Sequence, residues 1–304
     1  MDFKEEKKII RQYERDSFYI LKEQENANRG IIVSNDILCI SDFTIQKYFD
    51  DGDSGLLYLA TNKYNYTQKY ILKHEYYDCA CNEYMYYKIG SKMGIKIAPV
   101  KLFVLDNKLS RFQSDFVCGI KFLEDCEKVK YDDIVNHKIS NWEDFFRMKG
   151  LYSLLEEEDG LETLKYNNEI YRIDTTDAFT ISDYYISGLA YDLNDNKGNN
   201  MRQVMSKTIL KIAERKAERI SSWKYKLNYF KEKYGEEYLT YYFEAFKLLN
   251  MITEKDMEDW TNILTILYPN IIGEYFKKYV KNLKLDAEMF LGKEKEKEKT
   301  LVKK

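Results

Sequence analysis

Tyr70-Ile-Leu-Lys73-His-Glu-Tyr-Tyr-Asp-Cys79-Ala-Cys81-Asn-Glu83-Tyr-Met-Tyr-Tyr-Lys-Ile89 is the stretch that decides the fold. Its apolar start, 70–72, ends on Lys73, as a short strand delivering a lysine would. Ten residues later Glu83 opens a segment in which Met85, Tyr86, Ile89 and Met93 share one face at helical spacing. The helix is expected to stop at Gly94, and Pro99 leads back into extended chain. A lysine and a glutamate at this spacing are commonplace in a chain that is 33% charged, so the pair gains meaning only from its surroundings.

Working outward, residues 30–122 read as strands. Short apolar runs at 31–33, 37–40, 56–60, 70–72, 100–105 and 116–122 alternate with turn residues such as Asp51-Gly-Asp-Ser-Gly55 and Asn62-Lys-Tyr-Asn65. After Lys130 the pattern turns helical. Asn141-Trp-Glu-Asp144 reads as an N-cap followed by first-turn acids, opening a helix that runs to Asp159-Gly160. A hairpin follows, 161–165 against 169–173, around Asn167-Asn168, and then a polar loop at 192–200. From Met201 to about Leu285 helices are expected, with breaks near 235, 250–253 and 269. The predicted organisation is an N-terminal helical extension (1–28), a small β-rich lobe with one helix (29–127) and a larger, mainly helical lobe (128–290). A charge-alternating tail (291–304) is expected to be disordered. This is an α+β, bilobal layout without internal repeats.

Composition narrows the function. A hydrophobic fraction of 44% suits a globular chain, and no window reaches 18 consecutive apolar residues, so no membrane span is expected. The start, Met1-Asp-Phe-Lys-Glu-Glu, lacks the apolar core of a signal peptide, and five cysteines form an odd, sparse set. Both point to reduced thiols and a cytoplasmic setting. A net charge of −3 opposes any overall attraction to nucleic acid or an anionic membrane. Two histidines leave no His-Glu-x-x-His zinc motif and no deaminase set. Nucleophile elbows, Walker loops and dinucleotide fingerprints are missing too. Cys79-x-Cys81 has no second Cys or His pair to complete a metal site.

A β-rich lobe before a helical one, with a lysine ending a strand and a glutamate on the next helix, is the order found in protein kinases. There the lysine grips the α- and β-phosphates of ATP and the glutamate holds the ammonium in place. The segments Asp53-Ser-Gly-Leu-Leu-Tyr-Leu-Ala60, Tyr70-Ile-Leu-Lys73, Asn82-Glu83-Tyr84 and Gly94-Ile-Lys-Ile-Ala-Pro99 resemble the N-lobe of HipA-like kinases, whose superfamily includes the phosphatidylinositol 4-kinase type. The resemblance covers about 50–125 and, more faintly, 142–186. It implies ATP and Mg²⁺ as cofactors, Lys73 on nucleotide phosphate, and Glu83 as its partner. Ser54 and Gly55 would belong to the phosphate-covering loop, although its acidic neighbours repel phosphate and a plain hairpin turn is the alternative.

Ile173-Asp-Thr-Thr-Asp-Ala-Phe179 resembles the family's metal-binding segment. On that basis Asp174 coordinates Mg²⁺, and Asp177 or Asp183 supplies a second carboxylate; an Asx-turn or helix-cap aspartate is the alternative for Asp174. The departure from the family lies upstream, in Glu158-Asp-Gly-Leu-Glu-Thr-Leu-Lys165. Asp159 stands about where the catalytic aspartate belongs, without the Arg-His that should follow it, and Leu164 falls where a metal-binding asparagine is expected. Either Asp159 or Glu162 works in an altered site, or the protein binds without catalysing. The expectation is therefore a kinase acting on a protein Ser/Thr or another hydroxyl. A catalytically silent interaction module, from a toxin–antitoxin system or mobile element, is the alternative, and either would meet a protein partner.

One further signal is the stretch 201–226, read as a helix rich in Lys and Arg, including Arg219, against only Glu214 and Glu218. It can bind phosphate backbone or an acidic partner, or be a solvated face with Ile212, Ile220 and Trp223 turned inward. With the chain acidic overall, nucleic acid is not expected.

Overall fold

Alternation with period two organises the N-terminal part. In the computed structural model, which describes residues 35–49, 57–73, 77–104, 116–158, 160–179, 210–268 and 270–302, six strands form one sheet. They are β1 (Ile37–Cys39), β2 (Phe43–Phe49), β3 (Leu57–Asn62), β4 (Lys69–Lys73), β5 (Val100–Val104) and β6 (Phe116–Lys121), in the order β1-β5-β6-β4-β3-β2. Only β1 and β5 pair in parallel. Tyr58, Ala60, Tyr70, Leu72 and Phe103 pack together as one small core. Val100, Leu102, Cys118 and Ile120 belong instead to the larger core, which includes helix α1 (Tyr77–Lys92). Gly119 is needed where the strands meet, since a Cβ there would lie 2.2 Å from the Phe103 ring. Helix α1 ends as expected, with Gly94 at a φ of +74°.

The C-terminal part begins with a second sheet of three strands, β7 (Glu127–Lys128), β8 (Glu162–Tyr166) and β9 (Glu169–Ile173). Asn167 and Asn168 turn the β8–β9 hairpin with φ of 51° and 60°, the left-handed pair a two-residue hairpin requires. The helices are α2 (Tyr131–Val135), α3 (Glu143–Leu154), α4 (Lys216–Tyr234), α5 (Leu239–Leu248), α6 (Glu254–Leu267) and α7 (Asn270–Val302). Helices α3 and α5 approach closely at Gly150, where a Cβ would meet the Tyr242 carbonyl oxygen at 2.1 Å. The result is the expected α+β, bilobal layout, a β-rich part with one helix before a mainly helical part. Among the described residues no helix is long and apolar enough to cross a membrane.

Several local expectations change. Helix α3 starts at Glu143 with Trp142 as N-cap, and Asn141 does not cap it. Asn141 instead accepts from Ile170 N (2.7 Å) and donates to Ile170 O (3.2 Å), tying the helix start to β9. The same helix ends at Leu154, short of Asp159-Gly160. The charge-alternating run 293–299 lies within the bounds of helix α7. The predicted strand at 31–33 and the extension 1–28 lie outside the described residues.

The basic stretch 201–226 is corrected most. Its first nine residues lie outside the described residues, and the rest is broken by a turn at 213–215 before α4 begins. Arg219 is fully buried rather than on a solvated or ligand-binding face. Its guanidinium donates to Glu156 Oε2 (3.1 Å), Asp286 Oδ2 (2.6 Å) and the Ala213 carbonyl (3.3 Å). Tyr279 donates to the same Glu156 oxygen at 2.7 Å. Removing the positive member of such a network strands two buried carboxylates. Arg219→Met is therefore expected to cost about 3–5 kcal/mol in urea unfolding. A combined Arg219→Met, Glu156→Gln, Asp286→Asn variant should recover much of that loss. A single-variant loss under about 1 kcal/mol, the scale of exposed pairs, would contradict the buried network.

Candidate functional site

Lys73 owes its position to strand alternation. Tyr70 and Leu72 of β4 face the small core, so Lys73, one residue on, projects to the side covered by α1. Glu83 sits in the second turn of α1 with 1% of its surface exposed. The two side chains form a buried ion pair. Glu83 also accepts from Thr175, through the backbone N–H to Oε1 (3.2 Å) and the hydroxyl to Oε2 (3.1 Å). The Lys73 ammonium reaches a second carboxylate, Asp174 Oδ1, at 2.7 Å. Three sequence-predicted residues from three separate elements thus meet at one nitrogen.

Asp174 follows directly on β9, and the end of that strand is tightly held. Arg172 bridges to the chain after α1 through its own N–H to Lys96 O (3.0 Å) and from Ala98 N–H to its carbonyl (2.9 Å). Asp174 itself takes a φ of +55°, a conformation aspartate tolerates better than most residues. Thr176 donates to Asp174 Oδ1 at 3.3 Å, and Asn82, the neighbour of Glu83, donates to the Thr176 carbonyl at 2.9 Å. Downstream, Phe179 is buried between Tyr86 of α1 and Phe276 and Tyr279 of α7. Its carbonyl accepts from Tyr275 at 2.6 Å, so the segment is anchored at both ends. Burial pushes the Asp174 carboxyl up, but the Lys73 ammonium, aided by Arg172 and Thr176, outweighs it and holds the group below its ordinary value.

The loop upstream, 155–161, is held by its own acidic side chains. Glu156, at a φ of +56°, turns to Arg219, while Glu157, fully buried, pairs with fully buried Arg172. Arg172 also donates to the Glu162 carbonyl at 2.8 Å. Leu164, where an asparagine was expected, lies within β8 opposite Tyr171. Glu162 is exposed at the start of the same strand. Asp159, Asp183, Ser54 and Gly55 lie outside the described residues; 50–56 joins β2 to β3, which pair antiparallel with Phe49 opposite Leu57.

The donor set fits a nucleotide with a hard cation. Lys73 supplies an oriented ammonium for phosphate oxygen. Asp174 keeps Oδ2 without a hydrogen-bond partner among the described residues, and its side chain is 44% exposed. Asp177 is half-buried in the turn three residues on. Among the described residues no three His, Cys, Asp or Glu side chains form a metal cage. Mg²⁺ at phosphate sites is held by one or two carboxylates plus phosphate oxygens and waters, so a cage is not what the chemistry needs.

Sequence reasoning missed the supporting residues Thr175, Arg172, Glu157 and the Glu156–Arg219–Asp286 network. Arg219 had a readable signal, since Arg219, Trp223, Leu227, Phe230 and Tyr234 form one inward stripe at helical spacing. The carboxylates that neutralise it are far away in sequence and carry no local signature.

Among solved structures, the chain is similar to that of a Helicobacter pylori proinflammatory kinase, CtkA, at 13% identity and a TM-score of 0.44. The match covers 82% of this chain and 95% of that one. Comparison with family models gives no match, and comparison with curated proteins gives none either.

Proposed function

We propose that this chain is a HipA-like, ATP- and Mg²⁺-binding kinase that transfers phosphate to a protein Ser/Thr or another hydroxyl. The observation that carries the reading is the Lys73 ammonium shared between buried Glu83 and Asp174. Glu83 and Thr175 fix where the ammonium points, so Lys73 meets phosphate without first being ordered. Asp174, kept ionised by Lys73, offers its second oxygen to the metal. When bound, ATP supplies the phosphoryl group and Mg²⁺ offsets the charge on its oxygens. Asp159 is assigned to the acceptor side, taking the proton of the attacking hydroxyl.

A silent, kinase-shaped module is the second reading, and one observation favours it. Glu156 and Glu157 are committed to arginines, and Leu164 is locked in a strand, so the loop offers fewer groups for transfer than the family's does.

Thermal and chemical unfolding with nucleotide separate the two. A saturating ligand at a hundredfold excess over its dissociation constant should stabilise the fold by about 2.7 kcal/mol. Asp174→Ala should abolish the Mg²⁺-dependent part of the ATP shift and leave the fold intact. Asp159→Ala should leave nucleotide binding in place and lower turnover on the order of a hundredfold or more. Nucleotide binding without any transfer selects the silent module, and no nucleotide shift at all rejects the kinase reading.

Asp174 also gives a pH signature. Its folded pKa lies below the unfolded value of about 3.9. Its contribution to stability is therefore present above that value and lost as pH falls through the folded pKa. The stability gap between parent and Asp174→Asn should shrink on acidification from pH about 6 to 3. A gap that stays constant across that range would mean Lys73 does not stabilise the carboxylate.

A further inference from the structure

A cavity of about 800 Å³ opens in the helical lobe, between α3, α4 and the start of β8, and none of Lys73, Glu83 and Asp174 lines it. Four lysines line it, Lys128, Lys149, Lys226 and Lys233, against a single carboxylate, Glu162. Lys149 makes no ion pair or hydrogen bond through its ammonium among the described residues. What surrounds that ammonium is aromatic: Phe145 and Tyr152 at 5.6 Å and Tyr234 at 5.7 Å from the ring centres. Lys226 lies 4.5 Å above the Tyr152 ring and spends one hydrogen bond on the Glu157 carbonyl. Burial, with Lys233 and Arg172 adding repulsion, brings the Lys149 ammonium down to about 7, and burial brings that of Lys226 to about 8. Tyr242, 1% exposed, also lines the cavity, and its hydroxyl has no partner among the described residues.

A cation withdrawn from water without counter-charge, as at Lys149, is costly, and a polar hydroxyl left unbonded adds to that cost. An incoming negative group would relieve both at once. The walls are aromatic, and the volume falls in the range of small-molecule sites, roughly 300–1,000 Å³. We propose that this cavity is a second ligand site, for a small organic anion with a phosphate or carboxylate head on a flat aromatic body. The head lies among Lys149, Lys226 and the Tyr242 hydroxyl, and the body stacks against Tyr152 and Tyr234. The site adjoins the loop that carries Asp159, because Gly160, Leu161 and Glu162 form one wall. Binding does not depend on the kinase reading; only an effect on turnover would.

Calorimetric titration of the full chain tests this with 2-naphthyl phosphate, 2-naphthoate, neutral 2-naphthylmethanol and inorganic phosphate as probes. At least one naphthyl anion is expected to bind, with the neutral alcohol and inorganic phosphate each at least about tenfold weaker, the scale of a charge-assisted hydrogen bond. The naphthyl phosphate and naphthoate arms distinguish the two head groups. Lys149→Met should weaken binding by about tenfold or more while leaving the melting temperature equal or higher, because it removes a poorly compensated charge. Tyr242→Phe, which deletes only a hydroxyl, should weaken it several-fold and serves if the first variant does not fold. Binding should persist in Asp174→Ala, and its loss there would place the probe in the Lys73 cleft and overturn the proposal. Equal binding of the neutral alcohol, parent-like affinity in both cavity variants, or no binding of either anion at millimolar concentration would overturn it as well.

Discussion

One ammonium group sets the geometry of the cleft. Lys73 is shared by Glu83 from α1 and Asp174 from the end of β9, so strand, helix and the segment after β9 are fixed relative to one another at a single atom. A buried pair of this kind adds little net stability, since desolvation offsets most of the attraction. What it supplies is position. Two carboxylates on one ammonium also leave an excess negative charge, partly exposed through Asp174, which is the electrostatic environment a divalent cation favours. Glu83 is held further by Thr175, the residue next to Asp174, so displacement of either carboxylate disturbs the other. The site is therefore built as one unit across long sequence separations.

Two buried guanidinium groups play the matching part for the loop at 155–161. Consecutive acids turn in different directions, Glu156 to Arg219 on α4 and Glu157 to Arg172 on β9. Arg172 lies two residues before Asp174, so the loop and the segment carrying Asp174 hang on the same strand end. Phe179 closes the frame, its N–H donating to the Leu155 carbonyl at 2.8 Å and its ring buried against α7. A loop fastened this way gains definition at the expense of chemistry, because side chains that neutralise buried arginines are no longer available to act on a substrate.

The cleft was legible in the sequence because it obeys two simple periods. Strand alternation aims Lys73 at the helix side, and helical spacing from Met85 to Met93 buries the face that carries Glu83. Strand β2 was not legible for a physical reason: its register shifts between Ile45 and Lys47, which breaks the alternation a reader would look for. Asn141 looked like a cap because the local pattern was right, but its side chain serves Ile170, 29 residues away. Asn141 and the Glu156–Arg219–Asp286 network are polar groups whose partners are distant in sequence, and hydrophobic periodicity carries no information about such partners.

On the proposed kinase reading, the two halves of the mechanism are built to different degrees here. Nucleotide and metal need an oriented cation and a carboxylate, and Lys73, Glu83 and Asp174 provide both from rigid elements. Transfer needs in addition a group that receives the acceptor proton and, in the family's pattern, a carboxamide on the metal. The position where the resemblance expects that carboxamide is Leu164, paired within β8 opposite Tyr171. On the proposed reading, the first carboxylate beyond Asp174 on the same segment, Asp177, would be the second protein ligand. Exchanging a neutral amide for a carboxylate would add negative charge beside the phosphates, which strengthens the hold on the metal while opposing the approach of the nucleotide. On the proposed reading, a cation held by Asp174 would leave Lys73 to offset that repulsion, and transfer would depend on the same shared ammonium that orders the site.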